Sequence, residues 1–243
     1  MSSVLVLRLA GPLQSWGASS RFTRRTTESA PTKSGVVGLL AAAIGIQRDD
    51  DARLAPLAAL RFGVRIDQPG TRIRDFQTAH HGVTGKSMPL SERFYLADAV
   101  FVAALEGEHT LLAELDAAVR TPVYPPFLGR RSCPPAAPLE LGLHQDARLE
   151  SVLESVPWQA SAWYRRRPRD QRPAGLTVLR EAAADERGPA DVLRDQPLSF
   201  AAAHRRHALR TVVTGSVPVP QPRTAAVDVA RHDPFDALED ESS

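Results

Sequence analysis

The 243-residue chain is poor in cysteine, lysine and aromatic residues, with one cysteine, lysine only at Lys33 and Lys86, and 6% Phe, Trp and Tyr. A single thiol, Cys133, excludes an internal disulfide and any zinc site built from several cysteines. No apolar run approaches the roughly 20 residues that span a bilayer as a helix, so no membrane partner is expected. No basic stretch leading into an apolar segment and a cleavage site opens the chain, which makes the cytoplasm the expected location. Carboxylates at metal-binding spacing are also missing: Asp49-Asp50-Asp51 follows a helix end and reads as a loop, and neither a metal nor a cofactor is expected.

What is present is enough apolar residue, 43%, to build a buried core at this length, and a net charge of +2 carried almost wholly by arginine. Arginine binds phosphate through a planar fork and stacks on bases, which suits an RNA surface; biased codon usage would give the same composition. The distribution says more than the total. Arg8, Arg21, Arg24, Arg25 and Lys33 face only Glu28 in the first 46 residues. Arg120, Arg130 and Arg131 lie in a stretch without acids, and Arg165, Arg166, Arg167, Arg169 and Arg172 face only Asp170. These are candidate phosphate contacts. Residues 225–243 are acidic and are expected to be a solvated, disordered tail.

Val4 to Leu9 reads as a largely buried strand stopped by Gly11-Pro12, followed by a basic loop over 14–31. Thr32 is placed to cap a helix in which Val36, Val37, Leu40 and Ile44 recur at helical spacing until Gly45. Alternation over 61–66 predicts a half-buried strand, and the polar segment 67–92 predicts a projecting finger. A second alternating strand runs from Phe94 to Leu105, then a helix from about His109 to Arg120. Completed by a strand near Gly142, this is the βαββαβ order of the α+β ferredoxin-like fold that RNA-recognition domains use. It is expected to cover residues 1–145, with a smaller, irregular β-rich part over 146–224 containing strand-like pieces at 176–179, 198–202 and 209–213.

Three segments offer ligand chemistry. Pro31-Thr32-Lys33-Ser34-Gly35 lacks the upstream glycine of a P-loop, yet a helix N-terminus with Lys33, Thr32, Ser34 and the Gly35 backbone could hold one phosphate, or could be a plain helix cap. Gln14 and Trp16, with Arg21, Arg24 and Arg25 just beyond, bring an amide, an indole and cations into one loop; Trp16 reads either as a stacking platform or as a core aromatic. Residues 122–135, with Gly129 beside Arg130 and Arg131, read either as a phosphate clamp or as a proline-stiffened connection. His80-His81 could supply acid–base chemistry, but no spacing demands it.

Taken together, Leu7 to Gly17, Pro31 to Asp50, Arg74-Asp75-Phe76-Gln77-Thr78, Arg93 to Ala99 and Tyr124 to Pro134 resemble the CasD family, the fifth-numbered Cas protein in its type I-E form, within the repeat-associated RNA-binding superfamily. The blocks occur in order over residues 4–141; beyond them the likeness thins. The resemblance implies a non-catalytic subunit of the CRISPR Cascade complex that binds the 5′ handle of the CRISPR RNA and caps the filament of backbone subunits. It implies a thumb over about residues 75–92 that meets a backbone subunit. It also implies contact with the large subunit and the other Cascade proteins, with target DNA met through the complex. Arg74, Arg93 and Tyr124 join Gln14, Trp16, Arg21, Arg24, Arg25, Thr32 to Gly35, Arg130 and Arg131 as expected RNA contacts, Trp16 or Tyr124 being available for stacking. Relatives of another subtype cleave repeat RNA themselves, so a repeat-RNA endoribonuclease is the alternative.

Overall fold

The computed structural model describes residues 2–17, 24–183 and 186–220. Arg21 and the acidic tail over 225–243 lie outside the described residues, as do the side chains of Arg24 and Arg169. In chain order the elements are β1 (Ser2–Ala10), β2 (Leu13–Gln14), β3 (Arg24–Arg25), α1 (Lys33–Ala43), α2 (Asp51–Ala59), β4 (Arg61–Gln68), β5 (Thr71–Gln77), β6 (Ser91–Ala97), β7 (Val100–Glu108), α3 (His109–Arg120) and β8 (Glu140–Gln145). They continue with α4 (Leu149–Ser155), α5 (Ala162–Arg165), β9 (Gly175–Glu181), β10 (Asp191–Ser199) and β11 (Arg206–Pro218).

β1 is apolar at consecutive positions because both of its faces are covered. Leu5, Leu7 and Leu9 point into the larger core with Val36, Leu40, Leu112 and Leu115 of α1 and α3, while Val4 and Val6 meet Leu149, Val152 and Leu153 of α4 on the opposite face. β7 divides in the same way, with Phe101, Ala103 and Leu105 on the first side and Val102 and Ala104 on the second. These strands lie inside one antiparallel sheet in the order β10-β11-β9-β4-β7-β1-β8. The architecture is thus mixed helix and strand around antiparallel sheets, with the larger core between the main sheet and α1 to α3.

The helix starts follow capping chemistry. The Thr32 hydroxyl accepts from the Gly35 N–H at 3.2 Å, and the Glu108 carboxylate accepts from the N–H groups of Thr110 and Leu111 at 2.9 and 3.0 Å. Those N–H donors hold the Glu108 carboxyl below its ordinary value. Asp50, expected in a loop, instead caps α2 by accepting from the Arg53 N–H at 3.0 Å.

Two other expectations change. The single strand expected from Phe94 to Leu105 is two strands in different sheets, because the chain turns at Asp98, which adopts φ 57. The corner is pinned by the Asp98 N–H donating to the Pro12 carbonyl at 3.1 Å and by the Gln68 amide donating to the Asp98 carbonyl at 2.5 Å. The C-terminal strands, expected as a smaller part of their own, extend the main sheet instead: β9 pairs with β4 through Gly63, Val64 and Arg65.

The second sheet is built on β6. β5 pairs with it along its whole length from Thr71 opposite Ala97 to Gln77 opposite Ser91, so β2 and β3 share its other edge. The β5–β6 hairpin and its tip are largely exposed, including Phe76, Val83, Met88 and Leu90.

Candidate nucleic-acid interface

The segment from Gln14 to Trp16 is an internal fastening. The Gln14 amide donates to the carbonyls of Leu9 and Ala99 at 3.1 and 2.8 Å and accepts from the Trp16 indole N–H at 3.0 Å. Both side chains have no solvent exposure. Trp16 therefore has no face to offer a base and Gln14 no free amide, which corrects their expected roles. Glycine is required on both sides of the indole. A Cβ on Gly35 would stand 2.8 Å from Trp16 Cε3, and one on Gly129, whose φ is +83, would fall on the Ser15 carbonyl.

The start of α1 is also spent internally. Lys33 is buried and its Nζ lies 2.8 Å from Glu181 of β9; its backbone N–H donates at 2.8 Å to Asp195 of β10. Asp195, wholly buried, accepts a two-pronged pair of hydrogen bonds from Arg210 at 2.6 and 2.9 Å. Burial pulls the Lys33 ammonium below its ordinary pKa, against the raising influence of Glu181. Thr32 and Ser34 are buried too. The anion that a helix N-terminus attracts is here a carboxylate of the same chain, which corrects the phosphate-binding expectation for Thr32, Lys33, Ser34 and Gly35.

What these fastenings do is place a loop. The Ser15 N–H donates to the Leu128 carbonyl at 3.1 Å, the Ser15 hydroxyl to the Phe94 carbonyl at 3.1 Å, and the Leu128 N–H to the Cys133 carbonyl at 2.7 Å. The turn from Leu128 to Cys133 is thereby fixed beside β6, with Cys133 buried and its thiol pushed up by burial. Arg130 lies across the Tyr95 ring, 4.7 Å from its centroid, and donates to the Arg25 carbonyl at 2.9 Å. Arg25 is paired in register with Arg93, and Arg93 and Tyr95 point to one face of β6 because they are two residues apart.

An open cleft of about 390 Å³ results, lined by Arg25, Arg48, Arg93, Phe127, Gly129, Arg130, Arg131 and Ser132. Among the described residues none of its five arginines makes an ion pair, and the enclosed Arg93 Nε and Arg130 Nη1 have no hydrogen-bond partner. Five guanidinium groups so close together repel one another unless an anion joins them. The arrangement is chemically a polyanion cradle.

Of the expected contacts, the structure gathers Arg25, Arg93, Arg130 and Arg131. Arg74 is elsewhere: it sits opposite Phe94 in the β5–β6 ladder, on the face away from Arg93, 4.7 Å from the Phe76 ring and 3.5 Å from Glu92. Tyr124 is half exposed and its hydroxyl accepts from the Gln47 amide at 3.3 Å; it is not among the residues that line the cleft. Arg48 itself was missed; its only signal is its place just after the α1 turn at Gly45, whose φ is +73. His80 and His81 lie in the exposed hairpin tip, where their ring nitrogens bond to Gly85 and Thr84.

The profile of the family described as CRISPR-associated protein (Cas_Cas5), form Cas_Cas5d, matches residues 4–213. The chain is 40% identical over 171 residues to the CRISPR system Cascade subunit CasD of Escherichia coli (strain K12), covering 63% of this chain and 76% of that protein. Two solved structures are similar in fold. One, described as a crystal structure of a Cas protein, superposes with a TM-score of 0.67 at 38% identity, covering 90% of this chain and 98% of the other. The second, from a CRISPR RNA-guided surveillance complex, gives 0.66 at 32% identity, covering 88% and 91%. Among the described residues no helix is long and apolar enough to cross a membrane.

Proposed function

Because the chain belongs to the Cas5 family of CRISPR-associated proteins, we propose that it is a non-catalytic Cascade subunit of type I-E that grips the 5′ handle of the CRISPR RNA in the arginine cleft. The observation that carries the reading is the set of five arginines that, among the described residues, make no ion pair, two of them with enclosed donors unmet. A folded RNA backbone supplies closely spaced anions of the kind this set lacks. Tyr124 is an exposed aromatic available for a base, and Arg21 and Arg24 add positive charge to the sequence just ahead of Arg25.

The strand order supports a ferredoxin-like core. β1, β4, β7 and β8 alternate in sequence with α1 and α3 and lie side by side as β8-β1-β7-β4, fourth, first, third and second. In this reading the β5–β6 hairpin is the thumb. Its exposed Phe76, Val83, Met88 and Leu90 would meet the adjacent backbone subunit of the filament that the protein caps, in the cytoplasm. The large subunit and target DNA are then reached through the assembled complex.

The test is binding of fluorescently labelled handle RNA to the purified full chain, followed by anisotropy across a salt series. Replacing Arg93 and Arg130 with alanine removes two phosphate contacts and makes the slope of log K against log salt shallower by about 1.4 for a single strand. Wild-type affinity and slope in that variant would falsify the cleft assignment. Cleavage of repeat RNA that His81→Ala abolishes would instead install the endonuclease reading.

A further inference from the structure

A second basic surface lies away from the cleft, where the family blocks thin out. α5 and the turn after it present Trp163, Tyr164, Arg165, Arg166, Arg167 and Arg172. Trp163 is 51% exposed, and Arg165, Arg166 and Arg172 are exposed as well. Arg167 spans both rings, 5.0 Å from the Trp163 centroid and 4.5 Å from that of Tyr164. The two rings meet edge to face at 5.7 Å, and Trp158 meets Tyr164 the same way at 6.1 Å. Among the described residues Arg165, Arg166, Arg167 and Arg172 form no ion pair, and Asp170 is the only acid between Trp163 and Arg172.

This surface is anchored with unusual firmness for a short helix in an irregular stretch. Arg65 of β4 is fully buried and pairs with the equally buried Asp67 at 2.7 Å. Its remaining N–H groups donate to the carbonyls of Leu153, Val156 and Pro157 at 2.6, 2.7 and 3.0 Å. Asp67 accepts from the Gln159 N–H at 2.5 Å, its carbonyl accepts from the Trp158 indole at 2.9 Å, and Gln68 accepts from the N–H and hydroxyl of Ser161 at 3.1 and 2.7 Å. The chain is therefore held residue by residue up to the first turn of α5. A buried ion pair is seldom a net source of stability over an apolar packing, and its better use is to fix geometry. Here the geometry fixed is that of an aromatic and cationic platform.

Its position is also distinct. α4, which leads into α5, packs on the Val4, Val6 and Val102 face of the main sheet, whereas Trp16, Leu128 and Cys133 behind the arginine cleft belong to the other face. One continuous strand seated in the cleft does not account for both surfaces without passing round the sheet edge.

We infer that the Trp163 to Arg172 surface binds the sugar-phosphate backbone of a second nucleic-acid strand, with one base against the exposed indole. Aromatic rings interleaved with arginines give stacking and charge together, the combination that holds single strands without reading sequence. An acidic protein would satisfy the arginines, whereas a nucleic-acid strand supplies closely spaced anions and a stacking base from one chain.

The inference goes beyond the handle reading and is tested separately from it. The full chain is titrated with fluorescein-labelled single strands of unrelated sequence, one of RNA and one of DNA, over a salt series. Loss of affinity and a slope shallower by about 1.4 in Arg165→Ala/Arg166→Ala, for either probe, supports the site and identifies the strand by the probe affected. Trp163→Leu should abolish the quenching of tryptophan emission on binding, since Trp16 is enclosed and Trp158 part-buried. Unchanged affinity and slope for both probes in the arginine pair, in a variant with wild-type melting temperature, overturns it, including when the surface captures an acidic protein instead. Arg130→Ala/Arg131→Ala on handle RNA is the control. If that variant loses handle binding while the 165/166 pair keeps full affinity for both probes, the handle reading stands and this one falls; the reverse pattern removes the handle reading alone.

Discussion

The backbone N–H of Lys33 donates at 2.8 Å to the carboxylate of Asp195, 162 residues further along the chain, and the same carboxylate holds Arg210. Three charges, on Lys33, Asp195 and Arg210, are thereby closed off around the start of α1, with Glu181 as the fourth partner.

Asp195→Ala strips the α1 N-terminus of its anion and leaves Arg210 only the more distant Glu181 at 3.8 Å, with both still enclosed. The expected loss of stability is about 3–5 kcal/mol, the usual consequence of removing one member of a buried pair. Urea denaturation monitored by circular dichroism measures it, and a change below about 1 kcal/mol would show that water replaces the carboxylate there.

Trp16→Ala should cost about 3–5 kcal/mol through the cavity it leaves in the larger core. Handle affinity per folded molecule, scored after correction for the folded fraction, is expected to fall only as far as the Leu128–Cys133 turn loses its support. A specific affinity loss in a fully folded variant would return the indole to the list of ligand groups.

Gly129→Ala disturbs the cleft without removing a charge. At φ +83 an alanine is strained by about 1–2 kcal/mol, and its methyl meets the Ser15 carbonyl. Arg130 and Arg131 must shift with the turn, so RNA binding weakens more than in Arg131→Ala. The comparison is made by anisotropy in one buffer at one salt concentration.

Glu186 provides a pH observable. Hydrogen bonds from the Arg180 guanidinium at 2.6 and 2.7 Å, with a further one from the Ala183 N–H at 3.1 Å, hold its carboxyl at about 2 against an ordinary 4.5. Its folded value lies below its unfolded value, so its stabilising contribution is complete above pH 4.5 and is lost as pH falls toward 2. The carboxylate is exposed and screened, so the effect is small. Glu186→Gln should flatten the acid limb of the melting curve between those values, and the carboxyl carbon shift in NMR should titrate near 2 in the wild type.

Much of the architecture can be read from residue patterns. α3 occupies 109–120 as its Leu112, Leu115 and Val119 spacing predicts, and α1 begins after Thr32 because a hydroxyl there meets a free N–H. The long polar stretch after β4 holds the paired strands β5 and β6. What pattern cannot show is pairing decided by distant chain: β9 pairs with β4 along Gly63 to Arg65, and Phe94 to Leu105 is broken by a corner whose pins come from Pro12 and Gln68. α2 was hidden by its shortness and by Pro56.

The candidate cleft was legible in its arginines and not in its polar residues. Arg25, Arg93, Arg130 and Arg131 converge. By contrast, Gln14, Lys33, Thr32 and Ser34 look the same in sequence whether they serve a ligand or the chain's own backbone and carboxylates. Only the partners at Leu9, Ala99, Glu181 and Asp195 distinguish the two, and none of those can be foreseen from spacing.

The corner at Asp98 has a mechanical meaning. β5 follows β4 through Gly70, and β6 runs through Asp98 into β7, so both legs of the exposed hairpin are prolongations of strands paired with each other inside the main sheet. The hairpin is a cantilever rooted in the middle of the molecule, not a loop hung from its rim. A load applied at its tip is delivered along β4 and β7 together as shear across the β1–β7 and β4–β9 ladders, the direction in which many hydrogen bonds must yield together. Its aim is thereby inherited from the sheet, and a neighbour that grasps the tip takes hold of the whole body.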